Sequence, residues 1–289
     1  MSTVLSSAFP WTRVVSAVIA IPTALLVIGL GGWAFAISFA VLIAIGQLEY
    51  FGLVKSKGIA PAAKTTIAVS QALVFVCLLK VEWADAVVPI AGTFICFYLL
   101  FQPKLASIAD ISASILGLFY GGYLPSYWVR LRGLGSGATY QLDWHLLHLN
   151  ISQGLIYVLM AFSCIWASDI GAYVIGKTFG KTRLSAISPK KTVEGAVFGL
   201  ASCVAVALFW AHHLNWHWWR LTGGFLGVLI GVASLLGDLT ESMMKRDAGV
   251  KDSGQFLPGH GGLLDRADSY VFTAPLVYYF VTLVLPLVP

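Results

Sequence analysis

Long apolar stretches alternate along the chain with short polar breaks. Runs bounded by glycine, proline or charge fall at 13–31, 33–54, 66–79, 86–102, 110–131, 151–176, 195–211, 221–244 and 268–288. A helix needs about 20 residues to cross about 30 Å of hydrocarbon, and most of these runs come near that length. The pattern predicts an all-α, polytopic integral membrane bundle of about nine transmembrane helices. The third and fourth runs are short for full crossings, so one re-entrant hairpin is the alternative there. The first run is too long for a signal-peptide core and lacks an A-x-A-like cleavage site, which predicts a retained helix.

Composition sharpens this picture. Of 289 residues, 58% are hydrophobic and 11% charged, with a mean hydropathy of +0.83, whereas soluble domains carry about 25% charged residues. Of the 18 Lys and Arg, 14 precede the first span or follow an even-numbered one, and 4 lie on the other side. The positive-inside rule then predicts a cytoplasmic N-terminus, an outer C-terminus and residence in the cell's inner membrane. It also accounts for the net charge of +5 without a nucleic-acid partner, which would need a basic face on a soluble scaffold. Cys77, Cys96, Cys164 and Cys203 all lie in apolar runs, and are expected to be small core hydrophobes.

The first five spans fill residues 1–150. The last four fill 151–289, with cytoplasmic polar loops at 177–194 and 245–267, and charge is concentrated there. Between Asp238 and Asp268 stand five aspartates, one glutamate, four Lys/Arg and a histidine. Asp238 and Glu241 fall inside the cytoplasmic end of the eighth span, where an ionised carboxylate is costly unless paired or metal-bound. Asp265 and Asp268 are one helical turn apart. A hairpin of the last two spans brings Asp238, Asp265 and Asp268 together, and such a set suits a hard divalent ion such as magnesium, held by a few carboxylates plus substrate phosphates. The PGHGG run, with His260, Gly261 and Gly262, offers backbone N–H groups to an anion, amid Lys245, Arg246, Lys251 and Arg266.

A second concentration begins in the sixth span, with Asp169 about two turns inside the boundary and Gly171 and Gly176 placed for close helix packing. It ends in the basic, hydroxyl-bearing turn Ser188, Pro189, Lys190, Lys191, Thr192, whose lysines and hydroxyls suit a phosphate. His212, His213 and His217 lie among Trp216, Trp218 and Trp219 and are read as an interfacial aromatic belt rather than a metal site. Glu49, near the end of the second span, is left between a helix-end residue and a contributor to the pocket. G-x-S-x-G, P-loop and dinucleotide-binding glycine patterns are absent from the sequence.

Ser242, Met244, Lys245, Arg246, Lys251, Asp252, Gly254, Leu257, Pro258, His260 through Leu263, Asp265, Arg266 and Asp268 form a pattern that resembles the signature of the phosphatidate cytidylyltransferase (CDP-diacylglycerol synthase) family. The segment Ser188–Gly195 resembles that family's second common stretch, and Ala267 departs from its usual larger residue. The resemblance implies transfer of CMP from CTP to phosphatidate, with magnesium, and leaves open whether a monovalent cation joins it. Asp238 and Asp265 are then the expected metal carboxylates, supported by Asp268 and Asp169. Lys245, Arg246, Lys251 and Arg266 are expected on phosphates, as are Ser188, Lys190, Lys191, His260 and the two glycines. CTP, phosphatidate and the bilayer are the expected partners, and the glycine-rich helices suggest a homodimer. The rival readings are a transporter or channel for an anionic metabolite and a cytidylyltransferase or kinase for another lipid.

Overall fold

A computed structural model describes residues 11–288 apart from 136–138, 145–146, 255 and 257–260. Side chains are described from residue 21 onward, outside 136–150. The helices are α1 (Trp11–Leu30), α2 (Gly32–Ser56), α3 (Ala63–Leu79), α4 (Ala84–Leu100), α5 (Ile108–Leu118), α6 (Leu124–Gly133), α7 (Gln153–Thr178), α8 (Val193–His213), α9 (Trp219–Asp247) and α10 (Leu264–Tyr279). Among the described residues, six helices are long and apolar enough to cross a membrane: 32–56, 81–100, 153–178, 193–213, 219–247 and 264–287. The chain is a multi-pass helical membrane protein.

The fourth apolar run is longer than its sequence suggests, because a 3₁₀ turn at Val81–Trp83 leads directly into α4. The fifth is α5 and α6 joined by a π-helical turn at Phe119–Tyr123. Gly121 and Gly122 of that turn press against Gln47 and Ser70, and Gln47 Nε2 donates to Ser70 Oγ at 2.7 Å and to the Gly117 carbonyl at 3.0 Å. This buried polar knot ties α2, α3 and α5 together.

The all-α expectation needs one correction. Strands β1 (Thr139–Trp144) and β2 (Leu147–Ser152) form an antiparallel hairpin between α6 and α7. Its register pairs Tyr140 with Ile151, Leu142 with Leu149 and Trp144 with Leu147, and pairs Gln141 with Asn150 and Asp143 with His148. The register thus pairs apolar positions with apolar and polar positions with polar along the two strands.

The second half of the bundle is held by small residues. On α9, Gly223, Gly227 and Gly231 recur every four residues, so they share one face, and that face lies against Leu200, Val204, Ala207 and Ala211 of α8. On α7, Gly171 meets Ser202 and Gly199, and Gly176 meets Thr192 and Gly195. Without Cβ atoms the backbones close to van der Waals contact, the main attraction available to helices in lipid. The glycines that suggested a homodimer are therefore used within the chain. Above them Trp128, Phe162 and Tyr270 pack edge to face, with centroids 4.8 Å and 4.9 Å apart, and join α6, α7 and α10. Cys77, Cys164 and Cys203 are buried in this core and Cys96 is half-buried, all as free thiols. The rings of His212 and Trp219 lie 4.8 Å apart and those of His213 and Phe209 4.3 Å apart, both pairs tilted.

Gly227→Ala will lower the thermal midpoint of the detergent-solubilised protein, because its new Cβ would lie 2.5 Å from Val204 Cα and overpacking costs about 1–3 kcal/mol. Gly224→Ala, whose Cβ has nothing nearer than 4.0 Å, will leave the midpoint unchanged. Equal midpoints would refute this account of the α8–α9 contact.

Candidate active site

α9 runs three residues beyond the predicted span, so Lys245 and Arg246 belong to its last turn rather than to a loop. Asp238 consequently lies nine residues, about 14 Å, from the helix end. Gly237 beside it is what lets α10 cross here: a Cβ would strike the carbonyl of Asp268 and come within 3.4 Å of Ser269 Cα. The close crossing sets Asp238 and Asp268 beside each other.

Glu241, one turn on, is fully buried. Lys245 answers it at 2.5 Å and also reaches Asp265 Oδ1 at 2.6 Å, so one ammonium is shared by two acids on two helices. Asp265 in turn accepts from the backbone N–H of Gly262 at 2.8 Å and of Ser253 at 3.1 Å. It thereby fastens the start of α10 to the loop that follows α9. Gly261, at φ +86°, turns the chain there in a conformation that favours glycine, and a Cβ on it would lie 2.8 Å from Asp265 Oδ2.

The second polar segment folds back as a small hairpin. Val193 N–H donates to the Thr182 carbonyl and Leu184 N–H to the Lys191 carbonyl, both at 2.9 Å. Glu194 accepts from the N–H groups of Lys181 and Thr182, and the Thr192 hydroxyl caps α8 by accepting from Gly195 N–H. Thr192 and Glu194 therefore shape the segment, while Lys191 at its tip makes an ion pair with Asp238. Arg246 Nη1 donates to the Val250 carbonyl at 3.3 Å and its Nε approaches the Ile187 carbonyl at 3.5 Å, so it too spans the two polar segments.

Between these parts lies a cavity of about 1260 Å³. Asp169, Asp238, Asp265, Asp268, Ser188, Lys190, Lys191 and Arg266 all line it, so the fold brings together eight of the residues singled out from the sequence. Its other wall is apolar, with Ile21, Tyr173, Val197, Leu200, Val232 and Leu235, of which Ile21, Tyr173, Val197 and Val232 are exposed. Lys245, Arg246, Lys251, Gly261 and Gly262 are not on the lining: Lys245 and Arg246 are engaged as above, Lys251 is exposed on the loop, and the glycines shape the turn. His260 lies outside the described residues.

Among the described residues, no three His, Cys, Asp or Glu side chains converge as a closed metal cage. Asp238 shares its charge with Lys191, and Asp265 already receives three donors. Four carboxylates on one cavity wall with so little mutual closure fit an ion that keeps its waters and is completed by substrate phosphates, as magnesium commonly is.

The sequence left Glu49 undecided, yet its carboxylate accepts from Leu263 N–H, Leu264 N–H and the Ser253 hydroxyl. Its signal was present, since a lone acid in an apolar helix is a functional candidate by default. Ser168, Ser234 and Tyr270 also line the cavity, and nothing in their local pattern distinguishes them from the many other hydroxyls in apolar helices.

Fold and cavity together define a membrane-embedded bundle with an acid- and lysine-lined site, polar on one wall and apolar on the other. By sequence, the chain belongs to the cytidylyltransferase family, whose model matches residues 11–284. It is 58% identical over 288 residues to a phosphatidate cytidylyltransferase of Synechocystis sp., covering 96% of this chain and 98% of that one. It is 42% identical over 265 residues to phosphatidate cytidylyltransferase 4, chloroplastic, of Arabidopsis thaliana, covering 87% and 68%. A phosphatidate cytidylyltransferase of Staphylococcus aureus is 46% identical over 129 residues, 44% of this chain and 49% of that one.

Replacing Lys245 by Ala takes the shared ammonium away from Glu241 and Asp265 and leaves Glu241 buried without a polar partner, at a cost of about 1–3 kcal/mol. The double variant E241L/K245A, which removes the unpartnered group as well, will recover part of the loss. Unfolding in detergent measures both, and a K245A protein as stable as the parent would remove Lys245 from this role.

Proposed function

We propose that this protein transfers CMP from CTP to phosphatidate, forming CDP-diacylglycerol and pyrophosphate in the inner membrane. The observation that carries the reading is the meeting of both polar segments, through Lys191 and Asp238, on one cavity whose opposite wall is apolar. A lipid phosphate needs both walls at once. Its acyl chains lie along exposed apolar side chains such as Val197 and Val232, while its headgroup reaches Lys190, Lys191 and Arg266. The Synechocystis relative named for this activity spans 96% of the chain. A transport path would spread charge across the membrane depth, whereas here it gathers at one end of the bundle. The 14-to-4 distribution of Lys and Arg supports nine crossings with the N-terminus and this end of the bundle in the cytoplasm, where CTP is available.

The chemistry asks little of a base. A phosphate monoester has a second pKa of about 6 and is largely ionised at neutral pH, so the phosphatidate oxygen is already a nucleophile. It attacks the α-phosphorus of CTP in line. A new P–O bond forms as the bond from the α-phosphorus to the bridging oxygen breaks, and pyrophosphate leaves with that electron pair. Lys190, Lys191 and Arg266 hold phosphates and offset charge accumulating on the leaving group. Asp238 and Asp265, with Asp268 and Asp169, would hold magnesium, which when bound neutralises phosphate charge as a Lewis acid. Lys191 stands between two anions, Asp238, with which it pairs, and the phosphate that the cavity would receive.

Purified protein in phosphatidate mixed micelles will release pyrophosphate only with CTP, phosphatidate and Mg²⁺ all present, and a folded Asp265→Asn variant will lose about 10²-fold or more in kcat. Absence of release from folded protein with these substrates would overturn the reading. Lys191→Met will strengthen Mg²⁺ binding in a metal titration, since Asp238 loses its internal counter-ion, while raising KM for an anionic substrate. Weaker Mg²⁺ binding would show that the pair does not compete with the metal.

A further inference from the structure

α2 carries one acid and one base in 25 residues, Glu49 and Lys55. Glu49 lies far in sequence from the signature segment, yet its side chain ends inside the turn that begins α10. Oε1 accepts from Leu263 N–H at 2.9 Å, and Oε2 accepts from Leu264 N–H at 2.8 Å and from the Ser253 hydroxyl at 3.0 Å. These N–H groups are among those at a helix start with no partner inside the helix, and they carry the positive end of its dipole.

A helix of this kind is ordinarily capped by a residue next to it in sequence. Here the work is divided: Asp265, on α10 itself, takes Gly262 N–H, and Glu49 takes the next two. The two carboxylates also share Ser253, whose N–H goes to Asp265 and whose hydroxyl goes to Glu49. The chain closes so tightly around Glu49 that a Cβ at Gly254 would lie 2.6 Å from Oε1, and one at Gly262 would lie 2.6 Å from Oε2. This explains two glycines of the signature segment by close approach to a carboxylate of another helix.

We propose that Glu49 is a positioning residue for CMP transfer. It clamps residues 253–254 and 261–264 so that the first turns of α10 present Asp265, Arg266 and Asp268 to the cavity. This deepens the function proposed above and rests on it. Glu49 does not line the cavity and touches no reacting atom; it acts through the turn it holds.

The test compares Glu49→Gln and Glu49→Asp with the parent protein in phosphatidate mixed micelles, with hydrogen exchange followed by mass spectrometry on the same samples. Gln keeps the shape but sets an NH₂ against an N–H donor, while Asp keeps the charge on a stem one methylene shorter. In Glu49→Gln, amide protection will fall in peptides covering 261–264 and stay unchanged in α7 and α8. Its kcat will fall about 10²-fold, the scale of a roughly 1 Å misplacement, with KM for CTP and phosphatidate within about threefold. Glu49→Asp will recover part of both. Unchanged protection at 261–264, parental kcat, or protection lost throughout the bundle would each overturn the clamp. Exchange reads the clamp without turnover, so a parent protein that transfers no CMP would defeat the functional reading while the clamp is still judged by protection.

Discussion

A carboxylate within an apolar bundle has to find its compensation close by, and the functional end of this protein is organised around that requirement. Lys245 serves both Glu241 and Asp265, which ties α9 to α10 by charge. Asp265 then holds Ser253 and Gly262, which ties both helices to the loop between them. Remove the ammonium and both acids lose the partner that joins their two helices. That one cation therefore joins the end of α9 to the start of α10, where Glu49 holds the same turn from the other side.

The electrostatic arrangement depends on how closely the backbones approach. Gly237 brings α10 against α9 at the level of Asp238, and the repeated glycines of α9 and α7 bring both helices against α8. The cavity is therefore what remains between tightly packed helices where side chains turn polar. Its two chemically different walls come from one feature, the position of the site at the end of a lipid-facing bundle. One wall is formed by the polar loops and helix ends, and the other by helix flanks already selected to face hydrocarbon.

The N-terminal half belongs to this design more than its composition suggests. Glu49 reaches the turn before α10, Lys57 pairs with Asp247 at the end of α9, and Trp128 packs on the aromatic group behind Tyr270. A family signature confined to the last 50 residues is thus supported from helices that carry none of it.

Much of this was legible in the sequence, for a physical reason. In a chain with 11% charge, each buried acid must be accounted for, so Asp169, Asp238, Asp265 and Asp268 stood out, and hydrocarbon thickness set the helix lengths within a few residues. The β1–β2 hairpin is also written in its alternation, but six residues a strand between two long apolar runs make a weak signal beside the helical pattern. Tertiary structure alone decided which cation meets which anion. Lys191 pairs with Asp238, Lys245 turns to Glu241 and Asp265, and Arg246 reaches backbone carbonyls, although all read alike as phosphate ligands along the chain. Ion pairing depends on distances of a few ångströms between helices, and no periodicity within one helix encodes that; for the same reason Glu49 became a clamp only when α2 was laid beside the loop it holds.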